Sequence, residues 1–185
     1  MAVDRPGREE RSRAATPHRI GPGRGTPGER ILPGTRKGTP MYRRILIPTD
    51  GSACSERAVE HGIGLAQATR SSITFLFVED TLRNYHEGVM VEVEQTLAHQ
   101  GRVVLAGAEK IASSAGVAAD WELAIGTPAE EILVRAVEFD LVVMGSHGKG
   151  FWKRMTLGSV TEAVLHRMAR PLLIVPPVPG GCPGE

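Results

Sequence analysis

Gly145, Gly148, Gly158 and Ser159 have types and spacing that could do chemistry. Two sets of glycines at the two ends of one long loop free the main chain from side-chain bulk twice, where a bare turn needs one glycine or two in one place. Between them lie the cations Lys149, Lys153 and Arg154. From Ser159 the pattern SVTEAVLHRM turns helical, with Val160, Ala163, Val164 and Met168 on one face. Ser159 and Glu162 have the spacing of a capping box, with the helix starting at Ser159. Several backbone N–H groups and the positive end of a helix dipole then meet at one point, which suits a phosphate. The bland reading, turn glycines and a plain serine cap, uses the same residues.

The element in front of the loop is the apolar run Leu141 to Met144, too short for a globular helix and the right length for a buried strand. The rest of the chain repeats that unit. Arg43 to Pro48 reads as a first strand ending in Thr49, Asp50, Gly51 and Ser52, and a helix over 52–69 carries Ala58, His61, Gly62 and Leu65 on one stripe. Ser72 to Glu79 is a second strand, ending in Glu79 and Asp80. A polar stretch, 81–88, leads to a long helix with Val93, Leu97, Val104, Ala108 and Ile111 at helical spacing. A third strand, 118–125, alternates with Trp121, Leu123 and Ile125 on one side. Thr127, Pro128 and Glu130 then open a helix with proline at its first position and a capping box. Pro171 to Val175 is a fifth strand, short, apolar and last, hence an edge that invites pairing. Strands alternating with helices predict a parallel sheet covered on both faces, with right-handed crossovers. Ligands of such sheets lie beyond the carboxyl ends of the strands, where strand order reverses.

Charge and composition narrow the function classes. Residues 1–40 carry nine Lys/Arg and four Asp/Glu, and the remainder is net −4, which does not look like a nucleic-acid binder. The Arg/Gly/Pro-rich residues 1–40 and the tail 178–185 read as disordered, flanking one domain at 41–177. Gly23 to Gly28 fits G-x-G-x-x-G, but no strand precedes it and prolines interrupt what should become a helix. Neither Cys54 nor Cys182 belongs to a CxxC pair, so no metal site or disulfide framework is expected. The six histidines show no metal-ligand spacing, His147 in the glycine loop being the one to watch. With no signal-peptide core and no membrane-length apolar run, the expected location is cytoplasmic.

The pattern G-x-x-G, nine residues, then G-[ST], met by Gly145, Gly148, Gly158 and Ser159, resembles the nucleotide-binding signature of the universal stress protein family, in its ATP-binding branch. MYRRILIPTDGS from Met41 to Ser52 and GTPAEEI from Gly126 to Ile132 are similar to other stretches of that family. The resemblance implies a three-layer doubly wound parallel sheet of five strands in order 3-2-1-4-5 with four helices, Rossmann-like and adenine nucleotide alpha hydrolase-like. It implies ATP, with Mg²⁺, held across the strand ends. The backbone around Gly145, Gly148, Gly158, Ser159 and Val160 would hold the phosphates. Asp50 would accept from ribose hydroxyls or help hold Mg²⁺, and also reads as a plain turn residue. Pro48 and Thr49 would line the nucleoside pocket, the main chain of Val78 would contact adenine, and Met144 is packing or a wall of the same pocket. The family further implies a homodimer through the last strand and a nucleotide-dependent regulatory role in the stress response, read by an unidentified protein partner.

Three rivals remain. A slow ATPase, or a phosphoryl- or nucleotidyl-transferring enzyme of the same fold, needs a group to place water; the strand ends offer only Asp50, Glu79 and Asp80, and no G-x-x-x-x-G-K-[ST] loop occurs. No catalytic residue is assigned. A flavin carrier would want a stacking aromatic, and the loops offer only Tyr85, Phe151 and Trp152. A scaffold without a ligand fits poorly with a full set of glycines.

Overall fold

The computed structural model describes residues 41–80, 90–147 and 157–177, with backbone alone for 90–98. The expectations for 1–40, 81–88, the loop residues from Gly148 to Arg154, the tail 178–185, and the side chains of Val93 and Leu97 lie outside the described residues.

Among the described residues nine elements alternate: β1 (Arg44–Pro48), α1 (Ala53–Thr69), β2 (Ser72–Asp80), α2 (Met90–Ser114), β3 (Ala119–Gly126), α3 (Pro128–Ala136), β4 (Leu141–Gly145), α4 (Ser159–Arg167) and β5 (Leu172–Val175). All four strand pairings are parallel, and the order is β3-β2-β1-β4-β5. The sheet is therefore doubly wound, as the sequence pattern and the resemblance imply. Strand β5 is an edge, as expected from its position and brevity.

The alternation of strand residues builds two cores. Ile45, Ile47, Phe75, Phe77, Leu141 and Val143 face α1 and α2, meeting Ala58, Ile63, Leu105 and Ala112. Leu46, Leu76, Val142 and Met144 face α3 and α4, meeting Ile132, Ala136, Phe139 and Val164. A central parallel sheet must bury both faces, which explains why β1 and β4 are apolar at successive positions. The lower ends are tied as well: Asp140 accepts from the N–H groups of Arg43 (2.8 Å) and Arg44 (3.0 Å), just ahead of β4.

Three apolar stripes differ from the sequence reading. On α1 the buried face runs through Ala58, Val59, Gly62, Ile63 and Ala66, while His61 is exposed and bonds back to the Arg57 carbonyl. On α2 the buried positions from residue 99 onward are Gly101, Leu105, Ala108 and Ala112, and Ile111 is half exposed. Small residues face the sheet so that the helix can lie close, which turns larger neighbours to the flank. On β3, Trp121 and Leu123 pack on the core but Ile125, at the end of the strand, is exposed. The cysteine expectation also fails, since Cys54 is disulfide-bonded. Cys182 lies outside the described residues.

Helix α1 lies close over β1 at Gly62, where an added Cβ would stand 2.2 Å from the buried Ile47 Cδ1 and 3.2 Å from its Cγ1. Gly62→Val should therefore lose about 1–3 kcal/mol of stability through overpacking. Urea denaturation checks this, and an unchanged midpoint would contradict the contact.

Candidate functional site

Parallel strands place all their carboxyl ends on one edge of the sheet. There β1 stops at Pro48 while β2 continues to Asp80. The Thr49 N–H donates to the Leu76 carbonyl (2.8 Å), and the Ile73 N–H donates the other way, to Ala118 beside β3. Main-chain groups of a strand point alternately to its two neighbours. Val78, two residues beyond Leu76, therefore turns its N–H and C=O toward the β1 side, past the point where β1 has ended. Its side chain packs on the α3–α4 core. A notch with a peptide edge in it results.

The next wall is the turn from β1 into α1. Asp50 Oδ1 accepts from the Ser52 N–H (3.0 Å) and the Ser52 hydroxyl (2.6 Å). Ser52 is the N-cap of α1, its oxygen accepting from the Ser55 N–H (3.3 Å). The Ser55 hydroxyl meets the Ser52 carbonyl (2.9 Å) and Thr49 Oγ1 (3.1 Å). Thr49, Ser52 and Ser55 are buried, and Pro48 and Asp50 are half-buried. One carboxylate oxygen of Asp50 thus serves as a turn acceptor. Gly51 takes a positive φ (+73°), and a Cβ there would stand 2.7 Å from Val104 on α2. Sequence reasoning missed the Thr49–Ser52–Ser55 network; the density of hydroxyls in TDGSACS was its only trace. Glu79 is buried at the end of β2.

The third wall is where β4 meets α4. Gly145 ends β4, and a Cβ on it would lie 2.8 Å from the carbonyl oxygen of Cys54 in the first turn of α1. The Ser146 N–H donates to the Val175 carbonyl (3.0 Å), and the Gly158 N–H donates to the Ser146 carbonyl (2.9 Å). The buried Thr161 hydroxyl donates to the Gly145 carbonyl (3.0 Å). These bonds bring Gly145 and Gly158, the glycines at the two ends of the loop, together. Gly148 lies outside the described residues, as do Lys149, Lys153 and Arg154. His147 Nδ1 is 2.9 Å from the Ser146 hydroxyl.

One expectation is corrected here. The helix does begin at Ser159, but its N-cap is Gly158, in extended conformation and with no side-chain cap bond. Ser159 is the first helical residue and is exposed, so the Ser159–Glu162 capping box does not form. The N–H groups of Ser159, Val160 and Thr161 have no acceptor within the helix, and Gly158 offers them no oxygen from a side chain. Val160 packs partly on the α3–α4 core, and Met144 is buried in it.

The far end of α4 is held by Arg167, whose guanidinium pairs with Glu130 of α3, Nη2 to Oε2 at 2.9 Å. That bond holds the Glu130 carboxyl below its ordinary range and raises the Arg167 guanidinium. Thr127 is the N-cap of α3 with Pro128 following, but its side chain makes no cap bond, and the second expected capping box is also absent. Glu130 reaches across to α4 instead. Among the described residues no three His, Cys, Asp or Glu are placed to hold a metal, and no helix is long and apolar enough to cross a membrane.

A parallel sheet in the order β3-β2-β1-β4-β5, with helices on both faces, defines the class: a doubly wound α/β domain, in which the strand order reverses between β1 and β4. The family model described as "Universal stress protein family" matches residues 41–176, and the chain belongs to that family. It is 34% identical over 145 residues to universal stress protein MJ0531 of Methanocaldococcus jannaschii, covering 76% of this chain and 85% of that one. A solved structure of MJ0577 from the same organism superposes with a TM-score of 0.69 at 30% identity, over 76% of this chain and 99% of the other. A universal stress protein solved in complex with cAMP matches with a TM-score of 0.58 at 24% identity, covering 73% and 97% of the two chains; at that identity the likeness concerns the fold.

Because Gly145 abuts a main-chain carbonyl that no rotamer change can move, Gly145→Ala should cost about 1–3 kcal/mol of stability. A thermal or urea melt equal to that of the parent would remove Gly145 from this contact.

Proposed function

We propose that this chain is an ATP-binding regulatory module of the stress response, working in the cytoplasm as a homodimer. The observation that carries the reading is the bond from the Gly158 N–H to the Ser146 carbonyl. It places the start of α4, with its open N–H groups, at the end of β4. Phosphate oxygens are the natural acceptors for such groups, and the helix dipole adds to the attraction.

The residues present fit the nucleotide. Adenine would meet the main chain of Val78 in the notch beyond β1, a recognition that needs no polar side chain. Pro48 and Thr49 would line the nucleoside, and Asp50 would face the ribose while its Oδ1 holds the turn. The phosphates would lie on the backbone at Gly145, Gly158, Ser159 and Val160, with the exposed Ser159 hydroxyl as a further donor. Gly148 and the loop cations belong to the same reading by sequence. Mg²⁺ binds through one or two carboxylates together with phosphate oxygens, so Asp50 and the ATP itself would supply its ligands. The cAMP complex of a distant relative accords with an adenine nucleotide on this fold.

Protein purified without added nucleotide, then denatured, should release ATP, and calorimetry should show Mg²⁺-ATP binding. Gly158→Val should weaken that binding at least about tenfold while the fold persists, since φ −61° and ψ 149° at Gly158 are open to any residue. No release and no binding heat would end the proposal.

The dimer would form through β5, whose outer edge has no neighbouring strand among the described residues and whose Leu173 is partly exposed. Light scattering should give twice the chain mass at micromolar concentration, and Leu173→Glu should yield a monomer. A monomeric parent would refute edge pairing.

A further inference from the structure

We infer that Thr161 is a positioning residue of the nucleotide site, its buried hydroxyl setting the start of α4 against the end of β4; the inference rests on the ATP reading above. Thr161 is 3% exposed, and its Oγ1 donates to the Gly145 carbonyl at 3.0 Å across sixteen positions of sequence. Gly145 is the last residue of β4. The Thr161 hydroxyl therefore supplies a donor to a buried carbonyl at the strand end.

The bond has a partner in the Gly158 N–H to Ser146 carbonyl contact, and Ser146 in turn is anchored by its own N–H to Val175. Gly158 and Thr161 bracket Ser159 and Val160, and the N–H groups of these two and of Thr161 itself have no acceptor within the helix. One clamp on each side fixes both the height and the rotation of the first turn over β4. A backbone cradle works only when its donors are already in place, since phosphate contacts weaken steeply with misalignment. The threonine would touch no ligand with its side chain. Its role is to hold the donors that do.

Calorimetric Mg²⁺-ATP affinities of the parent, Thr161→Val and Thr161→Ser test this, with thermal melts confirming that each variant is folded. Thr161→Val, close in shape and lacking the hydroxyl, should bind about tenfold more weakly, and Thr161→Ser should return to within about twofold of the parent. If valine does not fold, Thr161→Ala takes its place. Parent-like binding by the hydroxyl-free variant, or equal weakening by valine and serine, would overturn the positioning role. A parent that binds no Mg²⁺-ATP at all would instead overturn the functional reading beneath it.

Discussion

Every helix begins with main-chain N–H groups that its own carbonyls cannot reach, and at the start of α4 the N-cap residue has no side chain with which to meet them. The contrast with α1 is internal to the structure. Both helices start at the same edge of the sheet, after β1 and after β4. At α1 the oxygens of Asp50 and Ser52 engage the turn and the first-turn N–H of Ser55. At α4 the cap is Gly158, which has no side chain to offer. One turn is capped by its own side chains, and the other has no side-chain cap.

That opening depends on close packing elsewhere. Gly145 lets the end of β4 come against the Cys54 carbonyl, and Gly62 lets α1 settle on Ile47. With α1 drawn in, its hydroxyl-rich turn and the β4–α4 junction become neighbouring walls. The longer β2 supplies the remaining wall, because its register carries Val78 past the end of β1. Strand length, register and two missing Cβ atoms thus shape the notch before any ligand is considered. The Arg167–Glu130 pair secures the other end of α4, on the surface, where such a pair orients more than it stabilises.

Much of this was legible from the residues. Alternating apolar runs and helical stripes located all nine elements, with boundaries shifted by a residue or a few. The strand order came from the family resemblance, since alternation alone permits several orders. What escaped the sequence was phase and partner choice. His61 and Ile111 matched helical spacing, but small residues took the sheet-facing positions, so the stripes rotated. Ser159 and Thr127 carried capping-box spacing, yet spacing cannot say whether a side chain turns back to its own backbone. Glycine took the cap at α4, and Glu130 reached for Arg167. Thr161, buried and bonded to a residue sixteen positions away, looks in the sequence like any polar helical residue.

The central claim concerns three amides, and amide-resolved NMR reads it most directly. Isotope-labelled protein would be titrated with Mg²⁺-ATP while the N–H signals of Ser159, Val160 and Thr161 are followed. The account predicts that they shift together and saturate with the binding isotherm, as N–H groups do when they gain a charged acceptor. Signals that stay in place at saturating nucleotide, while others move, would put the ligand somewhere else and leave the start of α4 without the role assigned to it.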